Sequence, residues 1–127
     1  MRYMRLYFFS FIVLCLVLFM HNAGMNGLYF TVPSYDIFMH ILGGIGIGLA
    51  VSAGIKLHGN KVIHKKWFIV IGVLIVGLVW EFFEIYFDIT GFPLWSTPHI
   101  IDTVKDLIDD MIGGGIVALV YFFGKKM

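Results

Sequence analysis

The sequence predicts an all-α polytopic membrane protein, four transmembrane helices packed as a small bundle, and three observations carry that prediction. Hydrophobic residues make up 60% and charged residues 13% of the 127, and the mean hydropathy is +0.93, far from the composition of a water-soluble domain. A helix that crosses a membrane needs about 20 mainly apolar residues, and four windows qualify: residues 3–21, 35–55, 67–88 and 98–124. The segments between them are too short to fold separately, so one four-helix domain is expected over residues 1–127. A net charge of +1 offers no footprint for nucleic acid, which is not expected as a partner. Cys15 stands alone and cannot form an intrachain disulfide.

The first helix follows Arg2 and Arg5 with the apolar run Leu6 to Met20. That pattern also fits a signal peptide, but His21-Asn22-Ala23-Gly24 is a weak cleavage context, and a retained helix is expected. Ser34 is placed to cap the second helix, with Asp36 in the first turn, where the helix dipole favours negative charge. Gly43, Gly44, Gly46 and Gly48 then allow another backbone to come close. No strand precedes this run and no Lys-Ser or Lys-Thr follows it, so it is not a phosphate loop. The third helix begins near Trp67, an interfacial anchor, and carries Glu81, Glu84 and Asp88 toward its C-terminal end. There the dipole opposes carboxylates, which therefore need a cation, a proton or a partner. Thr97, followed by Pro98 at the first helical position, marks the start of the fourth helix, with Trp95 at the interface before it.

Basic residues settle the expected orientation. Arg2 and Arg5, then Lys56, Lys61, Lys65 and Lys66, and finally Lys125 and Lys126 all fall on one side; Lys105 is the exception. Both termini are expected in the cytoplasm. All the carboxylates, Asp36, Glu81, Glu84, Asp88, Asp102, Asp106, Asp109 and Asp110, then fall on the outer side. At 100° per residue each of three helices offers one polar stripe ending in glycine: Asp36, His40, Gly43; Gly77, Glu81, Glu84, Asp88; and Asp102, Asp106, Asp109, Gly113. At about 1.5 Å of rise per residue, His40, Glu81 and Asp106 lie roughly 7 to 12 Å below the helix ends, at a similar depth.

Acids and one histidine on facing helices are the usual donors for a divalent cation. Asp36, His40, Glu81, Glu84, Asp102, Asp106 and Asp109 are the expected ligands for Mg²⁺, Mn²⁺ or Zn²⁺. The bland alternative is a hydrogen-bonded polar core, but glue rarely needs so many acids with only Lys105 to balance them. Lys105 and Asp110 are read as a counter-ion and a rim charge flanking the stripe, and neither as a ligand. HExxH, GxSxG and CxxC are absent, and Glu81-x-x-Glu84 stands where a ferritin-like site has Glu-x-x-His.

Tyr35-Asp36-Ile37-Phe38-Met39-His40 opening a Gly-rich helix, Trp80-Glu81-Phe82-Phe83-Glu84, and Asp102-Thr103-Val104-Lys105-Asp106 leading to Gly113-Gly114 resemble the YjdF-like inner-membrane family. The match in order and spacing runs from Tyr35 to Leu119 and is more distantly similar to the VanZ-like family. The resemblance implies the cytoplasmic membrane of a prokaryote and carries over Asp36, His40, Glu81, Glu84, Asp102, Thr103 and Asp106; it implies no reaction. Small diacylglycerol kinases share Glu-rich and Lys-Asp motifs, yet their characteristic Asn between the glutamates is missing and their acids face the cytoplasm.

The leading expectation is metal-assisted chemistry on, or binding of, a membrane lipid or a lipid-linked, phosphate-bearing ligand, since a divalent ion held by acids can bridge to phosphate oxygens or activate water. An ion- or proton-coupled transporter is the alternative, and a non-catalytic membrane interaction protein the third. A transporter needs a polar route to the other side, which Trp67 to Val79 and Met111 to Gly124 do not offer. Oligomeric state is left open.

Overall fold

The structure, a computed structural model, describes residues 2–58 and 65–123. Lys61, Lys125 and Lys126, used above for orientation, lie outside the described residues. The described chain is helical: α1 (Arg2–Ala23), a π-helical segment (Gly24–Leu28), α2 (Tyr29–Thr31), α3 (Tyr35–Leu57), α4 (Lys65–Phe87) and α5 (Thr97–Phe123). Among the described residues, three helices are long and apolar enough to cross a membrane: the run Tyr3–Thr31, α3 and α4. The fourth, α5, has the length but carries Asp102, Lys105, Asp106, Asp109 and Asp110 along it. Packing resolves that cost, because Asp106, Asp109 and Asp110 are buried inside the bundle.

The connection after α1 departs from expectation. The segment read as a loop stays largely helical through Thr31 and bends at Gly27, whose φ of 122° suits only a residue without Cβ. His21 Nδ1 and the Tyr29 hydroxyl, 2.8 Å apart, hold the two sides of this bend together. The helix caps also differ. Ser34 adopts a left-handed conformation (φ 63°) and makes no side-chain cap to α3. At α5 the cap comes one residue early: the Ser96 hydroxyl accepts the His99 N–H at 3.4 Å, and Thr97 is already helical. Asp88 leaves α4 with φ 52° and is exposed, so it drops out of the α4 stripe.

Helix α3 is the centre of the bundle and packs on α1, α4 and α5, while α5 also packs on α4. The α3–α5 crossing brings backbone against backbone. A Cβ on Gly44 would lie 2.1 Å from the Asp110 carbonyl oxygen, and one on Gly113 2.2 Å from that of Ile41. Away from the acids, Ile55, Ile69, Val117 and Ala118 form the apolar core. Phe8, Phe11, Phe19 and Phe82 are turned outward, as lipid solvation allows. On α1 the Ser10 hydroxyl donates to the Gly46 carbonyl at 2.8 Å, fastening α1 to α3.

Candidate functional site

Three helices converge at the acidic end. Helix α3 supplies Asp36 and His40, α4 supplies Glu81 and Glu84, and α5 supplies Lys105, Asp106 and Asp110. His40 is buried in the middle. Its Nε2 lies 3.6 Å from Asp36 Oδ1 and 3.7 Å from Asp106 Oδ2, and its Nδ1 lies 3.3 Å from Asp110 Oδ1. Lys105 Nζ donates to Asp36 Oδ2 at 2.7 Å and also to Asp106 Oδ1. One ammonium thus ties α3 to α5 through two carboxylates.

Glu81 and Glu84 stand differently. The Trp80 indole N–H donates to Glu84 Oε1 at 2.8 Å. Glu81 is 4% exposed, and its Oε1 is closed off from solvent and makes no hydrogen bond among the described residues, although the Thr103 hydroxyl, likewise buried and unbonded, stands near the same carboxyl group. A buried carboxylate oxygen with no donor is expensive unless a proton or a cation meets it. Two sets of side chains offer ligand atoms all within 4.8 Å of one another: Asp36, His40 and Asp106, and Glu81, Glu84 and Asp106. Asp106, 1% exposed, belongs to both.

Five of the seven expected ligands therefore meet: Asp36, His40, Glu81, Glu84 and Asp106. Asp102, half-buried, joins neither set, and Asp109, although buried, also stands outside both. Of the two residues expected to flank the stripe, Asp110 is at the centre instead, and Lys105 is a counter-ion as expected. Asp110 is no rim charge; it is buried against His40 and lies over Gly77, where a Cβ would come within 2.6 Å of Oδ2. Lys105 is the direct partner of two site acids. The signal for Asp110 was present, since steps of four and three residues from Asp106 through Asp110 to Gly113 follow one helical stripe. Trp80 left no such trace, because an indole beside a glutamate in sequence does not reveal where its N–H points.

A family model described as "Predicted membrane protein (DUF2238)" matches residues 1–126. The chain belongs to that family. Membership agrees with an apolar helical membrane protein and with the YjdF-like resemblance, and gives no support to the VanZ-like one. No curated protein matches the chain. No solved structure matches it either. For this DUF2238 protein, then, the arrangement of its own side chains carries the functional argument.

Proposed function

We propose that this protein binds a divalent cation at Glu81, Glu84 and Asp106 and uses it to hold a phosphate-bearing lipid or cell-envelope ligand. The observation that carries the reading is the buried, unpartnered Oε1 of Glu81 beside two further carboxylates. Lys105 already balances charge at Asp36 and Asp106, whereas no ammonium or guanidinium is paired with Glu81 or Glu84 among the described residues. Three carboxylates form a hard oxygen set, which favours Mg²⁺ or Mn²⁺ over Zn²⁺. A cation there supplies positive charge to which phosphate oxygens can bind. His40, held by Asp36, Asp106 and Asp110, stands next to that charge as a proton-bearing group. The positive-inside rule supports an outer position for the acids with both termini inside, and the YjdF-like resemblance supports the cytoplasmic membrane of a prokaryote.

Thermal unfolding in mild detergent tests the reading. Mn²⁺ or Mg²⁺ should raise the melting temperature and chelator should reverse it, because a ligand that prefers the native state stabilises it by about 2.7 kcal/mol at 100 times its Kd. An unchanged melting temperature across divalent ions, with protein that is monodisperse, would turn the reading toward a proton relay through the same acids.

A further inference from the structure

A cavity of about 250 Å³ lies beside His40, walled mainly by α1, α3 and α4, with Tyr29 of α2 and Asp110 of α5 also on its lining. Its polar end is made by His21, Tyr29, His40 and Asp110. From there it follows α3 past Gly43 and Gly44 to Ile47, about 10 Å at the helical rise, with otherwise apolar walls such as Leu14 and Val73. That length fits within one leaflet, whose hydrocarbon half-thickness is about 15 Å. The cavity opens sideways. Helices α1 and α4 both flank α3 but share no packed interface, and the contact of the His21 and Trp80 rings, centroids 5.1 Å apart, bridges them at the polar end. Leu18 and Val76 line the cavity and are 60% and 41% exposed, on the surface that membrane hydrocarbon covers.

We infer that this cavity takes one hydrocarbon chain of a membrane lipid and brings that lipid's polar head to the acid and histidine cluster. An apolar space open to a bilayer is filled by what surrounds it, and dispersion contacts favour a chain over a void. Ligand pockets that enclose whole small molecules run from about 300 to 1,000 Å³; this smaller one suits a single chain whose companion stays in the bilayer. The gradient from apolar floor to His21, Tyr29 and His40 matches the polarity of a lipid and not of a water-soluble metabolite. The assignment of the head to the cation at Glu81, Glu84 and Asp106 rests on the function proposed above.

The protein reconstituted in phosphatidylglycerol vesicles, doped with phosphatidylglycerol bearing a mid-chain diazirine, provides the test by irradiation and peptide mapping. Met39 and Val73 line the cavity yet are only 5% and 1% exposed, so bulk lipid cannot reach them. Both should be labelled together with the outward-facing Leu119. Ile47→Trp fills the floor and Val76→Trp blocks the mouth, and either should cut labelling at Met39 and Val73 at least fivefold while Leu119 is unaffected. Label confined to outward-facing positions in the parent protein, or undiminished in both variants, overturns the inference. Comparing Mn²⁺ with chelator separates the two readings. Cavity labelling that is strong and cation-independent supports the chain site and counts against the metal; a Mn²⁺-dependent rise in melting temperature without cavity labelling does the reverse.

Discussion

At the scale of single residues, Glu81 and Lys105 make opposite predictions. Glu81→Gln keeps size and supplies an N–H₂ donor while removing the charge beside Glu84 and Asp106, so the protein should lose cation binding and become equally or more stable without metal. Metal content and melting temperature, measured together, check this; full metal retention would remove Glu81 from the site. Lys105→Met leaves Asp36 and Asp106 without their shared cation. It should cost about 1 to 3 kcal/mol in the metal-free protein, toward the lower end because the Lys105 side chain is 37% exposed. It should also enlarge the stabilisation by Mn²⁺, which then replaces the lost charge. Asp36, His40, Glu81, Glu84 and Asp106 were legible in the sequence because each acid or histidine sits on an apolar helix, where its cost demands a reason. Asp110 is buried where a rim charge is expected, and Lys105, the expected counter-ion, serves Asp36 and Asp106, because residue spacing gives a direction around one helix and not the distance to the next. Only the close α3–α5 crossing brings Asp110 against His40.

At the scale of the helix, two glycines in the same bundle should behave oppositely. Gly44→Ala puts a methyl against the Asp110 carbonyl oxygen, 2.1 Å away, where backbone must yield. Overpacking of this kind costs about 1 to 3 kcal/mol, and here it should also shift α5 and weaken cation binding. At Gly115 nothing lies within 4 Å of a Cβ. Gly115→Ala should therefore be neutral or stabilising by up to about 1 kcal/mol from helix propensity. Denaturant unfolding of the two variants checks both signs. Three of the four long helices could be read from hydropathy and length alone, and α5 from its length and the start signal Thr97-Pro98. The bend at Gly27 could not: glycine permits a φ of 122° but does not require it, and the His21–Tyr29 contact that accompanies the bend is tertiary.

At the scale of the molecule, the basic residues predict which way the bundle lies. In a Cys15→Ser background, a membrane-impermeant thiol reagent should modify cysteine placed at Asn26 or Thr90 from outside intact cells, and at His58 only after lysis. The opposite pattern would turn the acid cluster to the cytoplasm. The whole-molecule feature with the widest consequence is the peripheral place of α1, which packs on α3 and brings no carboxylate to the centre. It brings Leu14, Val17, Leu18 and His21 to the cavity wall instead. On the lipid-chain reading proposed above, the greasy part of the ligand meets α1 together with α3 and α4, whereas the acids that would meet its charged part come from α3, α4 and α5 alone. On the same reading, substitutions at Leu14, Val17 or Leu18 should change which chain length or branching is accepted and leave the acids of α3, α4 and α5 in place.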